Sequence, residues 1–151
     1  MIETGQRKNT RRLRRRIGLV LVTLGLGIFT LGVLPDLFGA DRSPVVGFVQ
    51  IAVFLVGLAM ICLGGIIALN TLWDGQEKTI AADFGYRMVS TGYVIAVACA
   101  MADMFGFGSQ TSPAIPYFGQ WQALGVILSE FMIVLGFLLM IPWPRQKAAV
   151  N

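Results

Sequence analysis

Histidine is absent from this 151-residue chain, and its only cysteines are Cys62 and Cys99. The usual haem, zinc and copper ligand sets therefore cannot be assembled, and neither a metal nor another cofactor is expected. Acid–base catalysis through imidazole is excluded on the same ground. Charged residues make up 13% of the chain, against about a quarter in an ordinary soluble domain. There is no GxGxxG, no P-loop, no Gly-x-Ser-x-Gly and no Cys-x-x-Cys, so no nucleotide, flavin or acyl-transfer site is announced. These absences point away from an enzyme.

What is present is apolar: 56% of residues are hydrophobic and the mean hydropathy is +0.72. Four runs, roughly 17–34, 43–73, 83–105 and 118–141, are long enough to cross a bilayer and use most of the chain. The expected fold is an all-α integral membrane protein, a four-helix transmembrane bundle. Its expected divisions are a basic tail (1–16), a first hairpin (17–71), a loop (72–83), a second hairpin (84–142) and a C-terminal tail (143–151). The first run exceeds the 7–15 residues of a signal-peptide core, and Phe38-Gly39-Ala40 is a poor cleavage site, so it reads as a retained helix.

Positive charge is asymmetric. Arg7, Lys8, Arg11, Arg12, Arg14, Arg15 and Arg16 precede the first run; Lys78, Arg87, Arg145 and Lys147 fall on the same side, and only Arg42 on the other. By the positive-inside rule both termini are cytoplasmic, in a membrane of bacterial type. A basic run attracts phosphate, so a nucleic-acid patch is one reading of the tail. Its juxtamembrane position favours the other: Arg11, Arg12, Arg14, Arg15 and Arg16 on anionic lipid headgroups, with no nucleic-acid partner.

The chain also matches itself. At an offset of 67, Gly18, Val22, Gly25, Ile28, Asp36, Phe38 and Gly39 recur as Gly85, Val89, Gly92, Ile95, Asp103, Phe105 and Gly106, seven identities in 22 positions. Apolar composition alone gives about two. At an offset of 72, Pro44, Gly47, Gln50, Met60, Ile61, Leu63 and Gly64 recur as Pro116, Gly119, Gln122, Met132, Ile133, Leu135 and Gly136. The expectation is two parallel hairpin repeats, with five extra residues in the second external loop and Gly25, Asp36 and Gln50 superposing on Gly92, Asp103 and Gln122.

Small residues recur every seven positions along each helix: Gly18, Gly25 and Gly32; Gly57 and Gly64; Gly85 and Gly92; Ser129 and Gly136. Lipid supplies no hydrophobic force between helices, so such seams are expected to bring backbones into close left-handed contact.

Among polar residues Glu130 stands out, because it lies near the middle of the fourth run. A carboxyl group at that depth costs on the order of 2.5–3.5 kcal/mol to insert, so it should face protein. Tyr93, at a similar depth in the third run, is the expected intrachain partner. Asp36 and Asp103 occupy matched Asp-x-Phe-Gly motifs. They read as turns with left-handed Gly39 and Gly106, or else as an external polar vestibule shared with Gln50 and Gln122. Asp83 reads as the N-cap of the third helix. No Cys62–Cys99 disulfide is expected, since the two lie at different depths.

Tightly packed small-residue seams and scarce polar lining indicate a non-catalytic accessory or scaffold subunit of a larger membrane complex. Its expected partners are the bilayer and other membrane subunits or further copies of itself. The alternative is a small proton- or cation-coupled transporter or channel using Glu130.

Overall fold

Helix formation follows the apolar runs, and the breaks fall at proline and glycine. The computed structural model describes residues 2–39, 47–73, 76–107 and 119–142, with side chains described from residue 9 onward. Four helices are present among them: α1 (Ile2–Val33), α2 (Phe48–Leu72), α3 (Ile80–Ala100) and α4 (Gln120–Met140), and no strand. Arg42, Pro44, Pro116, Tyr117, Trp143, Arg145 and Lys147 lie outside the described residues, as does the expected loop insertion.

α1 is 32 residues long and passes through residue 16 without a break, so the boundary between basic and apolar sequence falls inside one helix. At 1.5 Å per residue it extends about 48 Å. Thr23 and Thr30 donate their hydroxyls to the Leu19 and Leu26 carbonyls at 2.9 and 2.7 Å, which satisfies them within the apolar run. Pro35, which has no N–H, ends the helix and starts a single 3-10 turn, Pro35–Phe38. Gly39 closes that turn with φ 62°, donating its N–H to the Asp36 carbonyl at 3.1 Å. After α3 the chain turns in the same manner: Gly106 has φ 77° and its N–H meets the Asp103 carbonyl at 3.2 Å.

The N-cap of α3 is Thr79, not Asp83. The Thr79 hydroxyl accepts from the Ala82 N–H at 3.2 Å, and Asp83, one turn further on, pairs with Arg87 at 3.3 Å on the exposed face. An exposed pair of this spacing contributes only about 0.3–0.5 kcal/mol.

Helices pair first within hairpins. α1 lies along α2, and a Cβ added to Gly18 would stand 2.8 Å from the Gly64 carbonyl oxygen and the Ala68 nitrogen. One added to Gly25 would stand 2.9 Å from the Gly57 oxygen and the Ile61 nitrogen; at Gly32 it would meet the Phe54 nitrogen at 2.5 Å. α3 lies along α4 in the same close way. A Cβ added to Gly85 would stand 2.5 Å from the Gly136 oxygen, and one added to Gly92 would stand 3.0 Å from the Ser129 oxygen and 3.4 Å from the Ile133 nitrogen. Ser129 itself is 2% exposed, its hydroxyl donated to the Val126 carbonyl at 2.6 Å.

Among the described helices, contact between hairpins is sparser and runs only through α2, which touches both α3 and α4. α1 touches neither α3 nor α4. The core accordingly joins α2 (Phe54, Leu55, Leu58, Cys62), α3 (Val89, Ala96, Ala100) and α4 (Val126, Ile133, Met140), with α1 adding only the partly buried Phe29. The Phe29 and Phe54 rings sit 5.3 Å apart, tilted by 49°. Two struts hold the hairpins together: the Phe137 ring lies over Gly65, and Trp73 Nε1 donates to the Met140 carbonyl at 3.0 Å. Trp73 and Met140 are 7% and 2% exposed. Trp73 thus faces protein.

Three helices are long and apolar enough to cross a membrane: Asn9–Val33, Phe48–Leu72 and Gln120–Met140. Four runs were expected, and α3 falls short because Asp83, Arg87, Ser90, Thr91 and two tyrosines dilute its first two-thirds.

Candidate functional site

Glu130 stands midway along α4, ten residues from either end. The buried residues of α4 form the stripe Gln122, Val126, Ser129, Ile133, Gly136 and Met140, of which Ser129, Ile133 and Gly136 lie against Gly85 and Gly92 of α3. Glu130 follows Ser129 by one residue, about 100° further around the helix. It therefore points out of the α3–α4 seam, into a cleft of about 270 Å³ between α4 and the first hairpin. Gln50, Ile51 and Phe54 of α2, Gly32 of α1 and Val126 of α4 share the lining with it. Because α1 and α4 do not touch, the cleft is open to the side.

Tyr93 is not in this cleft. It packs against the core cluster that contains Cys62 of α2, and no hydrogen bond joins it to Glu130 among the described residues. A match in depth carries no information about direction around a helix. Gln50, by contrast, does share the cleft with Glu130, a pairing the sequence did not suggest. The signal available was its position on the first turn of α2, opposite the end of α1 that carries Gly32.

The four residues of the expected vestibule take different settings. Asp36 lies on the exposed 3-10 turn, which touches α1 alone among the helices, and Asp103 lies on the turn after α3. Gln122 is buried, 6% exposed, and its Oε1 accepts from the Gly119 N–H at 2.7 Å, closing the start of α4. Its Nε2 is buried without a hydrogen-bond partner among the described residues.

Cys62 and Cys99 are both free thiols; Cys62 is buried in the core and Cys99 sits over Gly125 in the α3–α4 seam. No group of three or more acidic or cysteine side chains among the described residues could hold a metal ion.

The arginines divide. Arg11, Arg12, Arg15 and Arg16 line a second cleft, of about 590 Å³, whose far wall is Thr71 and Leu72 at the end of α2; Arg14 is not part of it. Arg11 Nε donates to the Thr71 carbonyl at 2.9 Å.

With this geometry in hand, comparison with known proteins adds no constraint: no family model, no curated protein and no solved structure matches the chain.

Proposed function

We propose that the chain is an integral membrane protein, with both termini on the cytoplasmic side of a bacterial-type cytoplasmic membrane, acting as a non-catalytic accessory or scaffold subunit of a larger complex. The observation that carries the scaffold reading is the laterally open Glu130 cleft beside a helix, α1, that packs along one other helix, α2, among the described residues. A carboxyl group at mid-helix without a protein hydrogen bond among the described residues is costly against acyl chains and inexpensive against a polar group of another helix. Bilayer residence is supported by the surface. Large apolar side chains are exposed along every helix, among them Leu24, Val56, Val94 and Phe131, far beyond what a water-soluble monomer tolerates.

Four crossings, and not three, are supported by α3's relation to α4. The two are equally long, 21 residues or about 31 Å, and are seamed together from Gly85–Gly136 through Gly92–Ser129 to Cys99–Gly125. A hydrocarbon core of about 30 Å that holds α4 then holds α3 as well. The duplication reading draws support from the same contacts. Adding 67 to Gly18 and 72 to Gly64 gives Gly85 and Gly136, and the same shifts turn Gly25, Gly57 and Ile61 into Gly92, Ser129 and Ile133.

A second reading, a proton- or cation-coupled transporter, is favoured by one observation: Glu130 and Gln50 line the same cleft. Two variants separate the readings. Ala123→Trp, which fills the cleft, is expected to displace a stoichiometric membrane partner on native gels while Glu130→Gln keeps it. In the transporter reading Glu130→Gln abolishes proteoliposome flux of protons or cations, an effect of at least about tenfold, in a protein that still folds. A lone, stable protein with Glu130-dependent flux would overturn the scaffold reading.

A further inference from the structure

The basic cleft is not an even coat of charge. Arg11, Arg12, Arg15 and Arg16 follow the i, i+1, i+4, i+5 pattern that gathers side chains onto one side of a helix, and α1 is continuous there. Arg14 projects elsewhere and does not line the cleft. Arg11 is anchored by its bond to the Thr71 carbonyl, which ties the arginine face to the last turn of α2 and fixes the width of the cleft. Arg12, Arg15 and Arg16 make no hydrogen bond or ion pair among the described residues. Holding the Arg12, Arg15 and Arg16 guanidinium groups side by side with no counter-ion among the described residues is unfavourable, and the planar fork of arginine is matched to phosphate oxygens, which it binds in bidentate fashion.

The position of the cleft selects the source of the phosphate. Its floor residue Leu72 ends the apolar helix α2, and Arg16 is followed directly by Ile17 and the apolar part of α1. One rim is therefore greasy and the other cationic, which suits a headgroup whose chains continue along the helices better than a free ion. Basic pockets between helices at the cytoplasmic surface are recognised lipid-phosphate sites. Resting on the membrane reading above, we propose that the cleft formed by Arg11, Arg12, Arg15, Arg16 and the end of α2 is a phosphate site for an anionic phospholipid, preferring a headgroup with a terminal phosphomonoester to one of single charge. The volume of about 590 Å³ accommodates such a headgroup with its water.

The test titrates the full chain, in neutral detergent, with phosphatidic acid, phosphatidylserine or phosphatidylcholine in mixed micelles, reading bound lipid by native mass spectrometry. One phosphatidic acid per chain is expected, held at least about tenfold more tightly than phosphatidylserine. Arg12→Gln with Arg16→Gln should weaken it tenfold or more, and Arg14→Gln less than twofold. Arg15→Lys keeps the charge and removes the fork, and should still weaken binding several-fold; it serves as well if the double variant does not fold. A loss for Arg14→Gln as large as or larger than that for Arg15→Lys, or no preference for phosphatidic acid, would overturn the proposal, since diffuse attraction counts charges and ignores position. Inorganic phosphate or pyrophosphate displacing the lipid at millimolar concentration would overturn the lipid assignment in favour of a free-phosphate site. Carbonate extraction of native membranes tests the membrane reading separately: release of the chain there would refute that reading whatever the titration gives.

Discussion

Gly57→Ala should destabilise the protein by about 2–3 kcal/mol, the upper part of the range for overpacking a well-filled contact, and Gly57→Val should prevent α1 and α2 from pairing. The reason is what a new Cβ would strike. At Gly57 it would run into the Phe29 backbone nitrogen and come within 2.9 Å of the Gly25 carbonyl oxygen. Both are backbone atoms of a helix, which cannot rotate aside as a side chain can. The helices would have to move apart, and dispersion contact along the whole seam from Gly18 to Gly32 would weaken with them. Gly27 is the internal control: nothing lies within 4 Å of its added Cβ. Gly27→Ala should be neutral, or stabilising by up to about 1 kcal/mol through helix propensity. Unfolding in mild detergent, followed by far-ultraviolet circular dichroism, separates the two. Equal midpoints for Gly57→Ala and Gly27→Ala would remove the seam as the basis of hairpin stability.

That contrast also marks what the sequence makes legible. A seven-residue repeat of small residues places them on one stripe, and close approach needs them there, so helix pairing within each hairpin can be read before any coordinates. Gly27 falls off the repeat and faces open space. The Asp-x-Phe-Gly turns are legible for a similar reason, since positive φ at Gly39 and Gly106 is a local demand met by a local residue.

Relations between hairpins are not local, and they were hidden. The contacts that join them, Phe137 over Gly65 and Trp73 to the Met140 carbonyl, use residues that are not among the repeated identities and are separated by about seventy positions. Nothing in a single sequence pairs them. Direction around a helix was similarly underdetermined for Glu130: a shift of one residue from the buried Ser129 turns it from the α3 seam to the open cleft, exchanging Tyr93 for Gln50 as its neighbour. Hydropathy alone separates α3 from the other three helices, because Asp83, Arg87, Ser90 and Thr91 lie on a helix whose glycines pack against α4.

Trp73→Ala should have the largest effect outside the glycine seams, a loss of about 3–5 kcal/mol, the range for truncating a buried aromatic ring. Trp73 ends α2 and its indole N–H reaches the Met140 carbonyl, one of the last four of α4, which have no partner within their own helix. Trp73→Phe keeps most of the buried ring and removes only the donor. The carbonyl then stays buried without its partner, at a cost of about 1–3 kcal/mol, so the two variants divide the ring's contribution into packing and hydrogen bonding. The loss should fall between the hairpins and spare each one, because the seams Gly25–Gly57 and Gly92–Ser129 lie away from Trp73 and α1 touches α2 alone. Wild-type protein in mild detergent is expected to unfold in a single cooperative transition, and Trp73→Ala in two, one for each hairpin. The opposite result, a single transition at an unchanged midpoint, would mean that the bond to Met140 is incidental and that Phe137 over Gly65, with the core shared by α2, α3 and α4, is sufficient to dock the hairpins.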